Sequence, residues 1–516
     1  MFVVLQRLLK RWRVFFHDMI RINHKIIINL FGVLLLCNGA FMFLSTLVSL
    51  YFNDGVTTEF FSSGTIVFLT GLILFIITKN HDKQIQKKEV FIIVSLGWLL
   101  MICSGMIPFI YTNSITDISY AFFETSSGYT ATGATIIDNI EGLPKSILFW
   151  RSITHWIGGM GIIVLAIAIL PLLGVGGMQL FSAEAPGPNG SKLHPRITDT
   201  AKRLWYIYVG LTFVETFLLN IAGMDFFDAI NNSMSTIATG GFSTKNESIA
   251  FWNNNPMIQY IIMFFMFVSG ANFVLSYFAL KGKIYKFLKD EEFKVYFLLV
   301  FFSFIIVAFV LYFNVDLSKS SFEHPQVYGK LESSIRHALF QVIAVITTTG
   351  LVTGDFSAWT PFLTIFFFCL MFIGGSSGST SGGVKIVRHL LMIKSGFLEL
   401  KRSLHPSAII KPRYNKSILE QNIIHNIYTF FILYILLFVF GSFSFTLLGL
   451  DFESALGVSA ASLGNVGPAI GDYGPSFTYS SLPDIGKYIA SLLMIFGRLE
   501  LFTVLVIFTP YFWKNR

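Results

Sequence analysis

Long apolar runs alternate with short polar segments along the whole chain, and four of the polar segments resemble one another. Each is rich in small polar residues and glycine: TATGAT (Thr130 to Thr135), TIATGGFS (Thr236 to Ser243), TTTGLVT (Thr347 to Thr353) and SLGNVGP (Ser462 to Pro468). With Gly133, Gly240, Gly350 and Gly467 as equivalent positions, the intervals are 107, 110 and 117 residues. This spacing predicts four copies of one structural unit.

The apolar runs are long enough to cross a bilayer as helices, which takes on the order of 20 residues. Two spans come first, near Ile26 to Leu50 and Thr65 to Thr78, the second short enough to need extension into its flanks. Each unit then has a leading span before its strip, near Val90 to Phe109, Tyr206 to Ala222, Val295 to Phe313 and Ile423 to Leu448. A trailing span follows each strip, near Trp150 to Leu173, Met257 to Leu280, Phe362 to Ile393 and Tyr488 to Phe508.

A short helical stretch is predicted just before each strip. The four stretches are Asp117 to Ser127, Asp225 to Ser235, Glu332 to Val345 and Asp451 to Ala461, and each begins with or near an acid, as the first turn of a helix prefers. They are too short to span a membrane, so the chain must dip in and return. Non-helical backbone at membrane depth must be buried in protein or line a wet cavity. Four such loops can shield one another around a central axis; the alternative is four external loops with coincidental glycines.

Composition and charge agree with a membrane-embedded chain. Of the 516 residues, 54% are hydrophobic and 13% are charged, whereas soluble domains carry roughly 25% charged residues. The predicted threading places 29 of the 37 Lys and Arg residues on one side, while the other side has six, with 17 acids. Cytoplasmic loops carry such a basic excess, which predicts a multi-pass protein with both termini in the cytoplasm. The net charge of +8 therefore needs no nucleic-acid partner.

The chemistry of the strips suits a small cation. Helices that enter from outside point their partially negative C-terminal ends towards the membrane centre. Glycine lets the carbonyl groups that follow adopt orientations that other residues resist, and rings of carbonyl oxygens replace the hydration shell of potassium. No ionised side chain stands just before each glycine, which favours a monovalent ion. Acids such as Asp117, Glu124 and Asp225 are expected farther out, where they would concentrate cations.

These strips and the segments around them resemble the Trk/Ktr/HKT superfamily of potassium transporters, specifically its TrkH type. The resemblance covers essentially the whole chain and rests on TATGAT, HWIGGMGIIVLA (His155 to Ala166), STIATGGFST, GGSSGSTSGGVKI and GNVGP. It implies an all-α integral membrane protein with a two-span unit at 1–85 and repeats at 86–200, 201–290, 291–410 and 411–516 around a central pore. It also implies a bacterial inner-membrane location, a homodimer, and a cytosolic nucleotide-binding partner of the TrkA type.

The resemblance assigns a potassium-binding selectivity filter to three residues of each strip. They are Ala131, Thr132 and Gly133; Ala238, Thr239 and Gly240; Thr348, Thr349 and Gly350; and Asn465, Val466 and Gly467. The fourth strip has Asn465 and Val466 where the third has threonines. That difference argues against strict four-fold equivalence of the ion sites.

Ten consecutive Gly, Ser and Thr residues interrupt the third trailing span. They are Gly374, Gly375, Ser376, Ser377, Gly378, Ser379, Thr380, Ser381, Gly382 and Gly383. Five glycines inside a helix would cost on the order of 1 kcal/mol each relative to alanine, which predicts flexible backbone beside an aqueous path. The resemblance makes this segment an intramembrane gating loop, with Lys385 as a further electrostatic candidate. The alternative is a packing seam of small residues.

Arg498 lies in the last predicted span, where an arginine costs roughly 3 kcal/mol or more. It must therefore face water or a partner, and the resemblance implies a position beneath the filter that opposes cation passage. The alternative is a structural ion pair with Glu500. Glu215 is a second acid at predicted membrane depth, with structural and functional roles both open. His155 and the Gly158 to Gly161 segment are expected to serve packing.

The sequence favours a conducting membrane protein over two other classes. An enzyme would need clustered acids or histidines such as DDxxD or HExxH, and neither motif occurs. The three cysteines are isolated, and no GxGxxG nucleotide-binding strip is present, so nucleotide regulation would come from a partner. A cation-coupled symporter of a small solute would show two inverted repeats and paired broken spans, whereas one broken span is predicted here.

Overall fold

The computed structural model describes residues 22–79, 85–173, 197–316, 322, 324–406 and 410–513. The basic N-terminal cluster, parts of the predicted cytoplasmic loops and the last three residues lie outside the described residues. In the described part, the chain is helical apart from one small hairpin, in which Arg413–Tyr414 pairs antiparallel with Ser417–Ile418.

The first two helices, His24–Phe52 and Thr57–Ile77, pack against each other as an antiparallel pair. Small residues allow the close approach, since a Cβ atom added to Gly39 would lie 2.8 Å from the backbone nitrogen of Phe68. Both predicted spans are confirmed. The second extends into its N-terminal flank, as its short apolar run required.

The four repeats follow, and each has a leading helix, a shorter helix that we call the pore helix, and a trailing helix. The leading helices are Lys87–Gly105 (continued by Ile107–Tyr111), Ile197–Ile221, Glu291–Asn314 and Gln421–Leu447. The pore helices are Ile118–Thr130, Phe226–Ala238, Lys330–Ile346 and Phe452–Gly464. The trailing segments are Lys145–Leu173; Pro256–Ser269 and Phe273–Leu280; Pro361–Leu370 and Ile386–Leu404; and Asp484–Arg498, Phe502–Leu505 and the 3₁₀ turn Val506–Phe508. Short connecting elements are Ser248–Trp252, Tyr285–Lys289, Phe356–Trp359, Gly471–Tyr473 and Pro510–Trp513.

Within the described ranges, six helices are long and apolar enough to cross a membrane, and two bent pairs meet the same test if each pair is one span. The pore helices lie inside this shell, where the C-terminal half of each is buried. The shell turns aromatic side chains outward, as Phe297, Phe301 and Phe309 on the third leading helix show. A multi-pass membrane protein needs such an apolar exterior.

The prediction of a single broken trailing span is wrong, because the second and fourth trailing segments are also interrupted. The second bends by 108° between Ser269 and Phe273, where the Asn272 side chain accepts a hydrogen bond from the Val274 amide at 2.8 Å and so caps the next helix. The fourth bends by 109°, where Glu500 and Leu501 both have positive φ angles, of 55° and 56°.

Candidate functional site

The N-termini of three pore helices are capped by the predicted aspartates. The Asp117, Asp225 and Asp451 side chains accept hydrogen bonds from amide groups two residues on, at 2.7, 3.0 and 3.1 Å. Hydrogen bonds from the Ser119 side chain and amide hold the pKa of Asp117 below its usual value. The third pore helix has Gly329 at its cap instead and carries Glu332 in its first turn.

The C-termini of all four pore helices end in one conformation. A residue with left-handed backbone follows each helix or its last turn: Ala131 (φ 52°), Thr239 (53°), Thr348 (55°) and Asn465 (54°). The next amide bonds back to a helical carbonyl five residues earlier, in the pairs Thr132–Ser127, Gly240–Ser235, Thr349–Ala344 and Val466–Ala461, at 2.8 to 2.9 Å. This Schellman-type ending starts each strip in the same way, so the four strips are structural repeats.

The next residue in each strip is a glycine with positive φ, and this corrects the assignment of the second strip. These glycines are Gly133 (85°), Gly241 (91°), Gly350 (69°) and Gly467 (96°). The equivalence of Gly240 is wrong by one residue, since Gly240 occupies the place of Thr132, Thr349 and Val466. Ala238, predicted as a filter residue, is the last residue of the pore helix. Two adjacent glycines in ATGG left the register open, and the backbone conformation decides it.

The four glycines join the strips into a closed ring. A Cβ atom added to any of them would lie less than 3.0 Å from a carbonyl oxygen of the next strip: Gly133 against Gly240, Gly241 against Thr349, Gly350 against Val466, and Gly467 against Thr132. The order runs through the repeats and returns from the fourth to the first. Each position therefore requires glycine both for its φ angle and for space.

A cavity of about 170 Å³ opens on the ring and is lined by residues of all four strips, including the four positive-φ glycines. Asp138 and Lys245 also line it. A polar cavity of this size holds several water molecules. The ring thus has a space suited to a hydrated ion on the side of the connecting loops after the strips.

Glu124 is not the exposed mouth acid that the sequence predicted. It is 1% exposed and pairs with Arg151 of the first trailing helix at 2.8 Å. Glu124 also accepts the Ile136 amide at 2.9 Å, while Arg151 donates to the Ser243 carbonyl at 3.3 Å. The pair thereby braces the first and second strips from behind.

The glycine–serine loop, residues 374–383, lacks helical structure and lies against the pore-helix C-termini. The amide of Lys385 bonds to the Ile373 carbonyl at 3.0 Å and closes the neck of the loop. The Thr380 hydroxyl donates to the Ile237 carbonyl at 3.0 Å, and the Gly382 amide donates to the Thr348 hydroxyl at 2.7 Å. The interruption of the third trailing span is confirmed, and the loop contacts two pore helices at the end that leads into the ring.

Arg498 joins this loop to the first repeat. It donates to the Thr380 carbonyl at 2.6 Å and to the Gly158 carbonyl at 2.7 Å. Glu500 pairs with Arg388, so the alternative pairing of Arg498 with Glu500 is not the one that the structure forms. The Lys385 ammonium group donates to the Ser381 carbonyl, which places its charge on the loop itself.

The residues expected to serve packing do so. The His155 ring stacks on Phe242 with centroids 4.0 Å apart, and it shares a hydrogen bond with the Ser235 hydroxyl at 3.2 Å. A Cβ atom on Gly159 would lie 2.7 Å from the Ala238 Cα atom, so this glycine lets the trailing helix touch the second pore helix. Glu215 is fully buried on the second leading helix.

Comparisons with known proteins give matches over nearly the whole chain. The family model described as "TrkH: Cation transport protein" matches residues 57–514. The Trk system potassium uptake protein TrkH of Escherichia coli K12 is 40% identical over 499 residues, which cover 96% of this chain and 100% of the relative. The Trk system potassium uptake protein TrkG of the same strain is 32% identical over 95% of this chain and 99% of the relative. The crystal structure of the potassium transporter TrkH from Vibrio parahaemolyticus superposes with a TM-score of 0.84 at 36% identity, covering 95% of this chain and 100% of that chain.

Proposed function

The chain belongs to the TrkH family of cation transport proteins, and we infer from this membership that it takes up potassium ions across a membrane. Relatives that carry the name of Trk system potassium uptake proteins match it over nearly its whole length. Its described helices are those of a multi-pass membrane protein. The TrkH family is a family of cation transport proteins and not a class of enzymes.

We propose that the ion crosses the ring of four strips. The observation that carries this proposal is the closed order of contacts, in which each positive-φ glycine faces a carbonyl group of the next strip. The pore helices direct the partially negative ends of their dipoles at the ring. Carbonyl oxygens of the strips would replace water around a dehydrated potassium ion, with Thr132, Gly240, Thr349 and Val466 forming one layer.

The glycine–serine loop is proposed as the gate and Arg498 as a charge that opposes cation passage. The loop lies at the C-terminal ends of the pore helices, and Arg498 holds it through the Thr380 carbonyl. An arginine near an ion path raises the free energy of a passing cation. Movement of the loop would displace both obstacles together.

We further propose the cellular setting that the family resemblance and the charge asymmetry of the loops predict. The membrane subunit works as a homodimer in the bacterial inner membrane, with its termini in the cytoplasm. A cytosolic nucleotide-binding subunit of the TrkA type would control it. The word "system" in the relatives' names supports more than one component.

Ion flux into proteoliposomes that contain this chain alone tests the pathway, with potassium, sodium and choline as test cations. Wild-type protein should favour potassium. Gly350→Ser and Gly241→Ala should both relax this preference towards sodium, because each adds a Cβ atom against a carbonyl oxygen of the ring. Gly210→Ala is the control, since no atom lies within 4 Å of a Cβ atom there.

If the wild-type chain alone shows no ion flux, the measurement is repeated with the partner present and with a shortened glycine–serine loop. If neither yields flux of a monovalent cation, the channel proposal fails, and a cation-coupled symporter of a small solute takes its place. Unchanged ion selectivity in Gly241→Ala would contradict the proposal that the ion passes through the ring.

A further inference from the structure

Glu292 is a buried acid at the start of the third leading helix, Glu291–Asn314, and is 3% exposed. A buried carboxyl group needs hydrogen-bond partners to offset its lost hydration. The two acids before it have other roles. Asp290 caps the helix, and Glu291 pairs with Lys394 at 2.5 Å. Glu292 is therefore free to hold a different part of the chain.

The Glu292 carboxyl group holds the glycine–serine loop. Its Oε1 atom accepts the Ser377 amide of the loop at 2.6 Å. Hydrogen bonds to an ionised acceptor are stronger than those between neutral groups, so this one side chain fixes the loop to the start of the third leading helix.

The hairpin Arg413–Ile418 contacts the start of the same leading helix. Tyr414 is 5% exposed and packs in an apolar cluster that includes Val387, near the start of the helix that follows the loop. Asn415 accepts the Glu291 amide at 3.0 Å and donates to Asp290 at 2.8 Å, which fixes the hairpin to the start of the leading helix.

We propose that Glu292 is a positioning residue that couples the hairpin to the glycine–serine loop. In the described conformation, Asn415 holds the start of the leading helix and Glu292 of that helix start holds Ser377, so a force that moves the hairpin together with this helix start releases the loop. The proposal rests on the proposed function, because it takes the loop to be the gate. It adds the residue through which an event at the hairpin reaches that gate.

Potassium flux through the chain alone is the first test. Glu292→Gln replaces a carboxylate acceptor by a weaker amide, and should raise flux by about tenfold, the shift expected from losing part of a charged hydrogen bond. Asn415→Ala, which removes the two hydrogen bonds of the hairpin to the start of the leading helix, should raise flux as well. The double variant should exceed Glu292→Gln by little, since both changes act on one connection. Glu291→Gln is the matched control and should behave as the wild type.

Hydrogen exchange of the purified protein gives a readout that does not depend on transport. The amides of residues 374–383 should exchange about tenfold faster in Glu292→Gln than in Glu291→Gln, while the pore helices keep wild-type protection in both. Equal exchange in the two variants overturns the coupling, even if neither protein conducts. Faster loop exchange in Glu292→Gln supports the coupling even where no variant conducts potassium. The proposed function fails separately, if flux is also absent with the partner and with the shortened loop. Loss of pore-helix protection in Glu292→Gln would show a general structural role and overturn the proposal.

Discussion

We propose two roles for Arg498, one structural and one electrostatic. Its guanidinium group donates to carbonyl groups of the glycine–serine loop and of the first trailing helix. The planar fork of arginine suits two acceptors at once, and its charge cannot be removed by deprotonation. It can therefore fasten the loop and present a fixed positive charge to a cation.

Replacement of Arg498 should accelerate transport. We expect Arg498→Ala to raise potassium flux by roughly tenfold or more. A tenfold increase requires the free-energy barrier to ion passage to fall by about 1.4 kcal/mol, and removal of a nearby unit positive charge can supply that decrease. The flux of Arg498→Lys should lie between those of the wild type and Arg498→Ala, because lysine keeps the positive charge but lacks the planar guanidinium group. Glu500→Gln is the control for the helix end, as Glu500 pairs with Arg388. Flux in Arg498→Ala equal to that of the wild type would contradict the role.

The same residues show what the sequence can and cannot predict. The cost of an arginine at membrane depth identified Arg498, and applied to the first trailing span it would also have found Arg151, which our sequence analysis overlooked. Its partner Glu124 was expected in water because nothing local reveals a contact 27 residues away. The register of Gly240 and Gly241 depends on φ angles, which two identical neighbours do not reveal.

Among the elements, the pore helices were the most predictable and the trailing helices the least. An acid at the start, a short apolar stretch and a glycine strip are all local signals. The break of the third trailing helix was also local, because ten small residues mark it. The fourth break has no such run: Glu500 and Leu501 adopt positive φ angles, which side chains resist, so tertiary contacts must impose the bend.

The aspartate caps should contribute measurably to the pore helices. Asp451→Ala should destabilise the helix Phe452–Gly464 by about 1 kcal/mol, seen as faster hydrogen exchange in its first turns. Asp451→Asn keeps a capping oxygen and should stay close to the wild type. Hydrogen bonds from Ser454 lower the pKa of Asp451. Its stabilisation is therefore present above the unfolded-state value and is lost as pH falls through the lowered value. Equal exchange in the alanine and asparagine variants would contradict the cap.

At the scale of the whole molecule, the ring depends on all four repeats arriving in order. The last contact, between Gly467 and the Thr132 carbonyl, joins the fourth repeat to the first across more than 300 residues of chain. Four repeats of the same direction require that the chain cross the membrane an even number of times between successive pore helices. All four pore helices must therefore enter the membrane from the same side. The charge asymmetry of the loops predicts that this side is the external one.

This geometry makes the sidedness of the loops testable. In a variant whose three native cysteines are replaced, a cysteine at the exposed position Lys401 should lie in the cytoplasm, and one at the exposed position Asp472 should lie outside. A membrane-impermeant maleimide should then label Asp472→Cys in intact cells and Lys401→Cys only in inverted vesicles. Detergent-solubilised protein, in which both should react, controls for reactivity. Labelling of both positions from one side would contradict an even number of membrane crossings between successive pore helices. The four pore helices could then not surround one axis.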